Sequence, residues 1–112
     1  MGTARVTLLA WSECPSHERA LAILTELLDE LGARDARVEV SWVETEEEAD
    51  RLRFTGSPSI RVDGTELFDP EPGEPYALAC RVYTLPDGRF SPLPDRGLLK
   101  RALAAALAVG DR

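Results

Sequence analysis

Cys14 stands in the run Trp11-Ser12-Glu13-Cys14-Pro15-Ser16-His17, between an apolar strand-like segment and a helix-like one. At such a junction the helix N-terminus offers unpaired N–H groups and a partial positive charge. Both favour a thiolate, which is the first requirement of a reactive cysteine. Pro15 fits the first helical turn, where its missing N–H would have had no partner. The plainer reading of Cys14 is a buried small hydrophobe, as most free cysteines are. His17 lies three residues on and shares a helix face with Cys14. Protonated, its imidazole would stabilise a thiolate; neutral, it could hand a proton to a leaving thiol. A solvent-facing histidine of no consequence fits the same spacing. Two cysteines and one histidine are a thin ligand set for zinc, and their spacing matches no zinc pattern, so neither a metal nor a cofactor is expected.

The elements that must position Cys14 follow from periodicity. Arg5 to Trp11 reads as a buried strand, with Val6, Leu8, Leu9 and Ala10 as its apolar run. From Pro15 to Leu31 the residues Leu21, Ile23, Leu24, Leu27, Leu28 and Leu31 recur at helical spacing, and Gly32 is a natural stop. Arg37 to Val43 alternates as a second strand. Thr45 with Glu48 forms a capping-box signature for a short helix that runs through Ala49 and Leu52, could reach Phe54, and ends before Gly56. Ser59 to Val62 is a third strand, closed by the Asp63-Gly64 turn. Phe68 to Pro75 is a proline-rich loop, and Ala79 to Leu85 resumes as a strand turned by Pro86-Asp87-Gly88. Asp95 caps a last helix carrying Leu98, Leu99, Ala102, Leu103, Ala106 and Leu107, with Gly110 past its end. The predicted order is β-α-β-α-β-β-α, an α/β fold with a right-handed first crossover and helices on both faces of a small mixed sheet.

On this order Cys80 opens the last strand. If that strand runs antiparallel to the one after Pro58, Cys80 lies at the end away from Cys14 and reads as buried and inert. The long loop before it leaves a return over Cys14 open.

The chain has 112 residues, 44% hydrophobic and 29% charged, which predicts one domain, 1–112, with a core of its own. A formal net charge of −7 argues against nucleic acid as a partner. Much of the acid falls between Glu44 and Asp50, where it reads as a solvated helix start. No apolar run reaches membrane-spanning length, so no membrane partner is expected. Met1 to Arg5 runs into strand pattern without signal-peptide features, so the expected location is cytoplasmic, where a permanent Cys14–Cys80 disulfide is disfavoured. Lys100 is the only lysine among many arginines, which points to a high-G+C bacterial genome.

A strand, a Cys-Pro turn and a long helix, followed much later by Gly56-Ser57-Pro58-Ser59 before a strand, resemble the thioredoxin and glutaredoxin superfamily. Within it the chain is similar to short bacterial thioredoxin-like proteins, some labelled alkylmercury lyase. That similarity lies in the Cys-Pro turn, Phe54-x-Gly56-Ser57-Pro58, Asp63-Gly64 and Cys80-Arg81-Val82-Tyr83. The resemblance implies that Cys14 is the nucleophile, that Pro58 follows a cis peptide bond beside it, and that the backbone of Ser57 pairs with a substrate chain. Trp11 and Pro15 are further substrate-binding candidates; Trp11 and Tyr76 could border the site, although core or surface packing explains aromatics more often. The superfamily's second cysteine is absent, and His17 stands in its place. A mixed disulfide on Cys14 is then resolved by a low-molecular-weight thiol, the preferred route on the strand order, or by Cys80, or there is no turnover at all. The implied function is a monothiol thiol–disulfide oxidoreductase acting on protein or small-molecule disulfides. A non-catalytic binding module and a lyase-type enzyme using Cys14 are the alternatives.

Overall fold

The computed structural model describes residues 4–33 and 35–108; Met1 to Thr3 and the Gly110 stop lie outside the described residues. β1 (Arg5–Ala10) is central in a four-stranded mixed sheet of order β2-β1-β3-β4. It runs parallel to β2 (Arg37–Trp42) and antiparallel to β3 (Ser59–Val62). Register places Val38, Val6 and Val62 in one cross-strand row and Val40, Leu8 and Ile60 in the next. Both faces of β1 are covered, which is why its sequence is a nearly continuous apolar run.

One face carries two helices. α1 (His17–Glu30) lays Ala20, Leu24, Leu27 and Leu28 on Val6 and Leu8, and α3 (Arg96–Leu107) adds Leu99 and Leu103 to the same core. Those residues recur at three- and four-residue spacing, so each helix presents one apolar stripe. α1 begins two residues later than the pattern implied, so Pro15 lies in the preceding turn. It ends in a Schellman motif: Ala33 N–H bonds Leu28 O at 2.9 Å, Gly32 N–H bonds Asp29 O at 3.0 Å, and Gly32 has φ +71°. Arg96 and Lys100 tie α3 to α1 through Glu30, with Nη2–Oε2 at 2.6 Å and Nζ–Oε1 at 3.0 Å. Leu9 points to the opposite face, where it meets Val43, Phe54 and Ala49 of α2 (Glu46–Leu52). The capping box opens α2 as read: Thr45 Oγ1 accepts from Glu48 N–H at 3.1 Å.

The second half of the chain departs from the expected order. Asp63 and Gly64 both have positive φ, 50° and 86°, the geometry of a tight hairpin turn. The chain therefore folds straight back, and β4 (Thr65–Glu66) becomes the antiparallel partner of β3. The segment read as one strand from Ala79 to Leu85 shortens to β5 (Tyr83–Thr84). It pairs with β6 (Phe90–Ser91) in a separate two-stranded sheet across the Pro86-Asp87-Gly88 turn. The edge it was expected to take is already filled by β4. Among the described residues no helix is long and apolar enough to cross a membrane.

Candidate functional site

The turn after β1 is fixed before α1 begins. Cys14 N–H bonds Trp11 O at 2.9 Å, and the Glu44 carboxylate holds Ser12 through its N–H at 2.9 Å and its hydroxyl at 2.5 Å. Those bonds, the hydroxyl foremost, hold the Glu44 carboxyl below its ordinary range. Cys14 is thereby turned inward and is 1% exposed. Its thiol donates to Ser57 O at 3.3 Å. Pro58, the residue after that carbonyl, is buried, and the Ser57–Pro58 peptide bond is cis.

His17 takes a different role from the one its spacing offered. Nδ1 lies 2.6 Å from Cys14 O, and because a carbonyl only accepts, Nδ1 carries the proton. The ring stands edge-on to Trp42, with centroids 5.1 Å apart and planes at 78°. It therefore braces the main chain of the Cys14 turn, and no hydrogen bond joins it to the sulfur. Trp11 packs against the Leu9–Phe54 core, Pro15 is exposed in the turn, and Tyr76 is exposed in the later loop.

The largest departure concerns Cys80. It is exposed rather than buried, and it lies beside Cys14 rather than at the far end of the sheet. The cause is a local pairing absent from the strand pattern. Residues 77–81 run parallel to 54–57: Ala77 N–H bonds Phe54 O at 3.0 Å, Ser57 N–H bonds Ala79 O at 2.8 Å, and Arg81 N–H bonds Ser57 O at 2.8 Å. Both main-chain polar groups of Ser57 are thus used within the molecule, leaving neither to a substrate chain in this conformation. Partial burial, and then the Cys14 thiol beside it, push the Cys80 pKa up.

Five residues hold this strap in place. Gly56 has φ +149°, and a Cβ there would stand 2.9 Å from both Cα and N of Arg81, so only glycine lets the two backbones close up. Arg81 is 6% exposed and pairs with Glu66 Oε2 at 2.6 Å; it also donates to Phe68 O. Its guanidinium lies over the Tyr83 ring, 4.7 Å from the centroid. Glu66 also binds Arg61 at 3.0 Å, and Arg61 Nη2 donates to Leu52 O at 2.7 Å at the end of α2. Tyr83 donates its hydroxyl to Pro58 O at 2.5 Å, and burial pushes its phenol pKa well above the ordinary value. Sequence reading passed over Glu66, Arg81 and Tyr83 as site residues. Their available signal was alternation in Cys80-Arg81-Val82-Tyr83, in which Arg81 and Tyr83 turn inward while Cys80 and Val82 face out.

A cavity of about 300 Å³ opens beside the strap, between the Phe68–Glu74 loop, residues 80–84 and the start of α3. Cys80 forms part of its wall, and Cys14 does not. Among the described residues no three His, Cys, Asp or Glu side chains converge as metal ligands. Against known proteins, no family model, no curated sequence and no solved structure matches this chain.

Proposed function

We propose that this protein is a thioredoxin-like thiol–disulfide oxidoreductase whose working pair is Cys14 and Cys80. The observation that carries the reading is the juxtaposition of these two thiols, one enclosed and one at the surface, on a segment that pairs with Ser57. The superfamily's usual second cysteine is missing from the helix, and Cys80 supplies a second sulfur from a strap instead. The order of β1, α1 and β2, with Pro58 opening β3, supports the same kinship. A substrate disulfide takes two electrons and two protons and leaves as two thiols, while Cys14 and Cys80 become a disulfide. A low-molecular-weight thiol or a protein dithiol then returns the pair to its reduced form and is itself oxidised. The expected compartment is the reducing cytoplasm. The internal use of Ser57 N–H and C=O disfavours a binding module that captures extended peptides by strand pairing.

Equilibrating the protein with graded ratios of reduced and oxidised dithiothreitol, then trapping free thiols by alkylation, tests this reading. Mass spectrometry should find one intramolecular disulfide in place of two alkylated thiols. That species should vanish in Cys14→Ser and in Cys80→Ser. Two thiols that remain alkylatable at every ratio, or bridges only between molecules, would refute it.

A further inference from the structure

We propose that Cys80, and not Cys14, is the thiol that meets the substrate, and that the preferred substrates are small disulfides bearing positive charge. This inference rests on the reading of Cys14 and Cys80 as an exchange pair and assigns the two sulfurs different tasks. Cys14 is 1% exposed, closed off by its own turn and by the Ser57 carbonyl it donates to. Exchange needs the attacking sulfur in line with the disulfide, a geometry an enclosed thiol cannot offer to a molecule in solution. Cys80 is exposed and lies in the wall of the 300 Å³ cavity, a volume suited to a molecule the size of an amino-acid disulfide.

The cavity also selects by charge. Asp69, Glu71, Glu74 and Asp95 contribute to its lining, and Arg81, the one cation there among the described residues, is neutralised by Glu66. A cleft lined by one sign of charge concentrates ligands of the opposite sign, and the whole chain, at −7, adds to that field. Cys80 loses its proton to water and attacks a disulfide R–S–S–R. A Cys80–S–S–R bond forms and RS⁻ leaves, taking up a proton. Cys14 gives up its proton to water and attacks the Cys80 sulfur, the Cys14–Cys80 bond forms, the Cys80–S–R bond breaks, and the second RS⁻ leaves and takes up a proton. The substrate is reduced by two electrons and the pair is oxidised by two. In reverse, an incoming thiolate attacks the exposed Cys80 sulfur and expels Cys14.

The test uses the full chain with three disulfides as probes: cystamine, bis(2-hydroxyethyl) disulfide and dithiodipropionate, which are cationic, neutral and anionic. Cys14→Ser should trap one equivalent of mixed disulfide on Cys80, located by peptide mass mapping. Cys80→Ser should react at Cys14 at least about tenfold more slowly, reflecting its enclosure. At low ionic strength cystamine should outpace dithiodipropionate by about tenfold or more, and added salt should shrink that ratio. Glu71→Gln with Glu74→Gln should reduce it, slowing cystamine more than the neutral probe. An adduct on Cys14 of Cys80→Ser at the rate of the native protein, with none on Cys80 of Cys14→Ser, would overturn the assignment while leaving the redox pair intact. Equal rates for the three probes would overturn the charge selection. Failure of the dithiothreitol titration would instead remove the pair itself.

Discussion

Gly56→Ala isolates the contact on which the site depends. The new Cβ would meet backbone atoms of Arg81 at 2.9 Å, and no side chain can swing aside to relieve that. The residue also sits at φ +149°, which L side chains avoid. Strain at such a φ costs about 1–3 kcal/mol, and forcing extra volume into packed surroundings costs about 1–3 kcal/mol more. The expected loss is therefore about 2–6 kcal/mol. For a chain of 112 residues the unfolding entropy at the midpoint is about 0.24 kcal/mol/K, so Tm should fall by about 8–25 °C. Gly32→Ala is the control. Gly32 also has positive φ, +71°, but nothing lies within 4 Å of its Cβ position. That substitution should cost only the backbone term, about 1–2 kcal/mol. Urea unfolding of both variants gives the comparison directly. A second readout is the Cys14–Cys80 disulfide. With the strap pushed off Ser57, its formation against dithiothreitol should weaken by about tenfold, equivalent to about 1.4 kcal/mol. If Gly56→Ala costs no more than Gly32→Ala and leaves the disulfide equilibrium unchanged, residues 79–81 do not close on Gly56, and the account of Cys80's position fails.

Two further outcomes are expected. Glu66→Gln should destabilise the fold by roughly 3 kcal/mol in urea, because it leaves the 6%-exposed Arg81 without its anion; a loss under about 1 kcal/mol, the size of a surface pair, would contradict the buried network. Arg96 and Lys100 hold the Glu30 carboxyl at about 2 from an ordinary 4.5. The stability it adds is fully present above 4.5 and is lost as pH falls toward 2. The Tm gap between the native protein and Glu30→Gln should thus narrow on acidification and in high salt. A gap constant from about pH 6 to about pH 2 would disprove that coupling.

What the sequence determined by itself is the local half of this protein. Apolar spacing, the Thr45–Glu48 box, Asp95, Gly32 and the Asp63-Gly64 turn act on neighbouring residues, so their meaning is legible in a short window. They placed the three helices, the first three strands and the Cys14 junction to within two residues. Alternation in the Cys80 to Tyr83 run was legible too, but its partner was not. Whether such a run pairs with β3, with β6 or with Ser57 depends on which sheet edges remain open once β4 has turned back. That is a property of the assembled fold. The same holds for His17, whose spacing offered a thiolate partner and whose ring was drawn instead to a main-chain carbonyl and Trp42. Gly56 shows the reason most plainly. Its missing side chain matters only because a backbone distant in sequence passes at contact distance, and that approach brings the two cysteines together.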